Sequence, residues 1–128
     1  MFDWNQYLLL AEKLFYLRKN EEFLGLKDAC LRSAISRAYY AVFCVARNYL
    51  IDKKGIEIPK QDTHKFVREI FIESAIREEK IVGESIKQLW GKRKMADYEG
   101  SLTVTEGETE FCLKKAKDTL SLIMGFSK

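Results

Sequence analysis

The sequence predicts an all-α fold, an up-and-down bundle of four to five helices forming one domain over residues 1–128. Three observations carry that prediction. Apolar residues recur at three- and four-residue spacing in segment after segment, the period of an amphipathic helix. The single proline, Pro59, falls in a short connector, not inside a periodic segment. No stretch sustains the two-residue alternation of a half-buried strand, beyond a hint at Ile56-Glu57-Ile58. No internal repeat or low-complexity segment interrupts the pattern.

The first helix is expected from about Asp3 to Lys19. Trp4, Leu8, Ala11, Leu14 and Phe15 form its apolar face, and Asp3 is a suitable N-cap because its short side chain can accept from a free backbone N–H. Gly25 breaks the residues that follow. A long second helix runs from about Lys27 to Asp52 and stops at the basic turn Lys53-Lys54-Gly55. Past the connector around Pro59, Asp62 or Thr63 starts a third helix bearing Phe66, Val67, Ile70 and Phe71. The fourth carries Ile81, Val82, Ile86, Leu89 and Trp90 and ends near Tyr98. Gly83 and Gly91 weaken it, each by about 1 kcal/mol against alanine. Residues 99–104 read as a loop, and Thr105-Glu106-Gly107-Glu108 fits a capping box that opens a last helix through Phe111, Leu113, Ala116, Leu120 and Ile123.

Composition narrows the function classes. A chain of 128 residues with 47% hydrophobic and 32% charged residues has the balance of a globular protein able to bury its own core. Its 22 basic and 19 acidic residues leave a net charge of only +3, which by itself marks no nucleic-acid partner. Three scattered cysteines make no disulfide framework. Cys30 and Cys44 share the second helix at roughly 21 Å and can neither bridge nor meet on one metal. With one histidine and no CxxC, no metal site and no cofactor is expected, and reduced thiols point to a reducing compartment. Met1-Phe2-Asp3-Trp4 lacks the basic start of a signal peptide. The longest apolar run, Ala38 to Ala46, falls far short of the about 20 residues that span a bilayer. A cytoplasmic protein without membrane contact is expected.

The second helix organises the molecule. Leu31, Ile35, Ala38, Val42, Val45 and Tyr49 keep four-three spacing, and Ala34, Ala41, Phe43, Ala46 and Leu50 make most of the remaining surface apolar, so the helix is buried. Yet Ser33, Arg37, Tyr40, Cys44 and Arg47 keep the same spacing and form one polar seam. A buried arginine needs a partner, so the seam must face another element, a second chain or a wet cleft.

A second segment, Arg93-Lys94-Met95-Ala96-Asp97-Tyr98, places Arg93 and Asp97 four apart on one helix face with Tyr98 beside them. Two readings stand. In one the pair is a surface ion pair worth about 0–1 kcal/mol and Tyr98 is half-buried packing. In the other, Asp97 neutralises Arg37 across the bundle and leaves Arg93 free to bind an anion. Trp4 and Trp90 fit apolar helix faces, the Lys92-Arg93-Lys94 trio a solvated face, and Glu78-Glu79, Glu106 and Glu108 capping or solvated positions. No glycine-rich phosphate loop and no nucleophile elbow occurs.

The segment Arg32-Ser33-Ala34-Ile35-Ser36-Arg37-Ala38-Tyr39-Tyr40-Ala41-Val42-Phe43 resembles the signature helix of HEPN domains, small helical bundles named for nucleotide binding. Arg93 to Tyr98 is similar to that family's arginine-containing segment, and Thr63-His64-Lys65 resembles its members at the start of the third helix. The resemblance implies a homodimer. It also implies a minimal nucleotidyltransferase as partner, in a toxin–antitoxin-like pair. Active HEPN ribonucleases cleave RNA without a metal, using an arginine followed four to six positions later by a histidine. The arginine stabilises charge at the scissile phosphate and the histidine moves a proton. Here those positions hold Asp97, Tyr98 and Glu99. The only histidine, His64, precedes Arg93. It either caps or faces solvent at its helix start, or supplies the missing imidazole if folding or dimerisation brings it to Arg93.

The reading is therefore a nucleotide- or RNA-phosphate-binding module centred on Arg93, with Arg37, Tyr40, Asp97 and His64 around it. The first alternative is a metal-independent endoribonuclease with Arg93 and Tyr98 as its catalytic residues. The second is a bundle whose polar seam only fixes dimer register.

Overall fold

The half-buried second helix sets the architecture. In the computed structural model, which describes residues 1–126, it is α2 (Lys27–Lys54), and 14 of its 28 residues are buried, more than a single stripe supplies. Neighbours cover it on several sides: α1 (Asn5–Leu17), α4 (Arg77–Tyr98) and α5 (Glu106–Phe126) pack along it, whereas α3 (Thr63–Ile72) packs mainly on α4 and touches α2 only lightly. Ala34, Ala38, Ala41 and Ala46, all fully buried, let these helices approach closely around Ile35, Tyr39, Val42 and Leu50. Val82, Ile86 and Leu89 of α4 and Cys112, Ala116, Leu120 and Ile123 of α5 complete the core. Among the described residues there is no strand, and no helix is long and apolar enough to cross a membrane. The three cysteines are free and buried.

Local chemistry sets the helix ends. The N-cap of α1 is Trp4, one residue past the expected Asp3, whose carboxylate nonetheless accepts from the Asn5 backbone N–H at 3.0 Å. An unforeseen 3₁₀ turn, Glu21–Leu26, begins where the Asn20 side chain accepts from the Glu22 N–H at 2.8 Å. Gly55 ends α2 with φ 64°, a left-handed residue that costs glycine nothing, while the Ile56 N–H donates to Leu50 O at 3.0 Å. The helix thus runs two residues past the expected Asp52. Thr105 Oγ1 accepts from the Glu108 N–H at 3.1 Å and caps α5.

Three ties fix how α4 lies. At its start Glu79, expected among capping or solvated residues, is instead 6% exposed; it accepts from Tyr49 Oη and Ser74 Oγ, each at 2.7 Å, and pairs with Lys54 at 3.1 Å. Burial and this carboxylate push the Tyr49 phenol up to about 12. In its second turn Gly83 meets α3 so closely that a Cβ there would lie 2.4 Å from Ile72 N. At its end the Arg32 guanidinium donates to Ala96 O at 2.9 Å, to Glu99 O at 3.3 Å and to Leu102 O, while its Nε pairs with Asp28 at 3.0 Å. A cation on the last carbonyls of a helix also complements its dipole.

Candidate functional site

The polar seam of α2 opens into a cleft of ≈ 850 Å³ between the start of α1, the middle of α2, the start of α3 and the second half of α4. Ser33 is exposed elsewhere, but Arg37, Tyr40, Cys44 and Arg47 all line this cleft. So do His64, Arg93 and Asp97; Tyr98 stands at its rim. The lining carries Arg37, Arg47, Lys60, Lys65, Arg68 and Arg93 against only two carboxylates, Asp62 and Asp97.

Arg93 is drawn inward, with 11% of its side chain exposed. Its Nε donates to Asp97 Oδ2 at 2.8 Å, and its Nη2 donates to Tyr40 Oη at 2.8 Å and Tyr98 Oη at 3.3 Å. The guanidinium also lies 5.1 Å from the Tyr40 ring centre and 5.4 Å from that of Trp90. The Arg93–Asp97 pair therefore exists, as the four-residue spacing requires, but it is not a plain surface pair. Tyr98 is 71% exposed, not half-buried.

The expectation that Asp97 neutralises Arg37 is overturned. The residue of α2 that reaches Asp97 is Ser36, whose Oγ donates to Oδ2 at 3.1 Å. Arg37 follows a further 100° around the helix, so its guanidinium lies over Tyr7 at 4.8 Å and Tyr40 at 5.0 Å. Among the described residues its one hydrogen bond, to Ser36 Oγ, is long at 3.5 Å. Among the described residues Arg93 has a carboxylate partner and Arg37 has none.

His64 neither caps nor faces open solvent. It stacks on Phe43 with ring centres 4.0 Å apart, and its Nδ1 lies 2.6 Å from Tyr39 Oη. Burial holds the Tyr39 phenol far above its usual range, and among the described residues its hydroxyl meets no other hydrogen-bond partner. Tyr39 therefore donates to Nδ1, which assigns the His64 proton to Nε2. Burial, with the fields of Arg93, Arg68 and Arg47, keeps His64 below the ordinary histidine range and so neutral at pH 7.

Sequence reasoning missed Arg68. It lies four residues after His64 and thus on the same face of α3, which was the available signal. Its Nη1 is buried without an acceptor, while its guanidinium lies 5.8 Å from the Trp90 ring. Arg47 Cζ lies 5.6 Å from the Trp4 ring. Trp4 and Trp90 do pack against the core as expected, but each also lines the cleft. Of the basic trio only Arg93 enters the cleft; Lys94 is exposed beside Trp90. Among the described residues no group of three or more His, Cys, Asp or Glu could hold a metal ion.

Basic donors, aromatic faces and few acids in one concavity suit a phosphate-bearing ligand with a base to stack. Comparison with curated proteins finds no match, and comparison with solved structures finds none. The family model of the HEPN domain matches residues 16–125 and so takes in α2, α3, α4 and nearly all of α5, the elements that carry the core and most of the cleft. With the all-helical bundle, that match establishes that the chain belongs to the HEPN domain family.

Proposed function

We propose that the cleft binds the phosphate of a nucleotide or RNA, and that the protein works as a homodimer with a nucleotidyltransferase partner in a toxin–antitoxin-like pair. The observation that carries the binding reading is the charge imbalance: six basic side chains against two carboxylates, one of them already committed to Arg93. A phosphate supplies the missing anion. Arg37, Arg47 and Arg68 offer donors that, among the described residues, no carboxylate claims. Arg93, held by Asp97, Tyr40 and Tyr98, orders the opposite wall and adds its field. Dimer and partner rest on the family and are tested by light scattering and by co-purification with a nucleotidyltransferase of the same cell.

One observation favours the endoribonuclease reading: His64 and Arg93 line the same cleft, although no histidine follows Arg93 in sequence. The tautomer works against it. With Nδ1 accepting from Tyr39 and Nε2 protonated, His64 has no free lone pair with which to take a proton from an attacking hydroxyl.

Fluorescence anisotropy with labelled single-stranded RNA in chelator, over a salt series, tests the proposal. Binding that weakens with salt and with Arg37→Gln, and leaves the RNA intact, is the expected result. Metal-independent cleavage lost in Arg93→Ala would replace it with the endoribonuclease. No binding at low salt, with Arg37→Ala affecting only stability or dimerisation, would leave a structural bundle.

A further inference from the structure

Charge pairing divides the cleft into a satisfied half and an unsatisfied half. On the α4 side Arg93 is neutralised by Asp97 and spends its donors on Asp97, Tyr40 and Tyr98. On the other side Arg37, Arg47 and Arg68 pair with no carboxylate among the described residues, and Arg68 Nη1 is buried with no acceptor at all. All three line the cleft, Arg37 and Arg47 from α2 and Arg68 from α3. His64 adds an Nε2–H donor and, being neutral, no charge of its own.

Five lining cations without a carboxylate partner among the described residues, Arg37, Arg47, Arg68, Lys60 and Lys65, stand against the single remaining acid, Asp62, and that excess sets the ligand's charge. An internal phosphodiester carries one negative charge and two free oxygens, which would leave cations unmatched in a partly enclosed site. A phosphomonoester carries about −1.5 to −2 near neutral pH and presents three strong acceptor oxygens. We infer that this unpaired basic side of the cleft, with Arg37, Arg47 and Arg68, is a subsite for a terminal phosphate, taken from a free nucleotide or from the end of an RNA chain. The inference rests on the phosphate-binding reading above and adds which phosphate is recognised.

The test compares one labelled single-stranded RNA with and without its terminal phosphate, with AMP and adenosine as competitors, on the unmodified protein and on Arg68→Gln and Arg47→Gln, each checked for an unchanged helical spectrum. The phosphorylated RNA should bind about tenfold or more tightly than the dephosphorylated one, and either variant should abolish that preference. Competition by AMP but not adenosine identifies a free nucleotide as an accepted source; preference without AMP competition identifies the RNA end. Equal, salt-sensitive binding of both RNAs overturns this inference and leaves the phosphate-binding reading standing. Failure of every probe to bind overturns both. Should one variant not fold, the other and the preference of the unmodified protein decide.

Discussion

Gly83 and Gly91 lie about two turns apart in α4, and their replacement by alanine should move stability in opposite directions. Each substitution gains about 1 kcal/mol of helix propensity. At Gly91, which is exposed, an added Cβ meets nothing within 4 Å, so that gain appears undiluted. At Gly83 the Cβ would lie 2.4 Å from Ile72 N, 2.8 Å from Phe71 C and 2.8 Å from Ile72 Cγ1. Two of these are backbone atoms that no rotamer change can remove. Restoring an ordinary contact of 3.4 Å to the first requires α3 to retreat by 3.4 − 2.4, or 1.0 Å. Overpacking against backbone costs about 3 kcal/mol, so the net loss is about 2 kcal/mol. For a chain of 128 residues the unfolding entropy of about 2.1 cal/mol/K per residue makes 1 kcal/mol worth about 4 °C. Gly83→Ala should then lower Tm by about 8 °C and Gly91→Ala raise it by about 4 °C. Circular-dichroism melts with urea titrations read both. Shifts of the same sign would refute the close approach of α3 and α4.

Arg32→Met keeps the aliphatic stem but abandons the carbonyls at the end of α4, and should cost about 2–3 kcal/mol in urea unfolding. Asp28→Asn, which touches only the exposed partner of that arginine, should cost under about 1 kcal/mol. Burial raises the Glu79 pKa, but donors from Tyr49, Ser74 and Lys54 outweigh it and hold the carboxyl below its ordinary range. Its contribution is therefore present above the unfolded value of about 4.3 and lost as pH falls through the lower folded value, so Glu79→Gln should flatten the acid limb of the stability profile. His64 is depressed too, by burial and then by Arg93, Arg68 and Arg47. Below about 6.5 the unfolded chain takes up a proton that the folded one refuses, so stability should fall from there through the lower folded pKa. His64→Gln should lack that slope, and a flat profile in the unmodified protein would contradict the buried, arginine-ringed site.

The fold was legible because its signals are local. Periodicity located five helices, and Gly55 and Thr105 marked an end and a start that the structure keeps. The polar seam was legible as a line on one helix face for the same reason, with a partner element, a second chain or a wet cleft all left open: four-three spacing fixes a face whatever lies opposite. What lies opposite was not legible. Ser36 and Arg37 differ by one position, and only the angle at which α4 crosses α2 decides which of them meets Asp97. The partnership of Tyr39 with His64 joins residues 25 apart in the chain. Likewise Gly83 and Gly91 look alike in sequence; the closeness of α3 alone separates them.

The Arg32 tie has a mechanical consequence. By binding the last turn of α4 to α2, it makes two walls of the cleft a single stiff body. Another wall, α3, follows an irregular connector over residues 55–62 and meets α2 chiefly through His64, which stacks on Phe43 and bonds Tyr39. A swing of α3 on α4 would carry His64 and Arg68, which ride on that helix, toward or away from a guest held against Arg37 and Arg93.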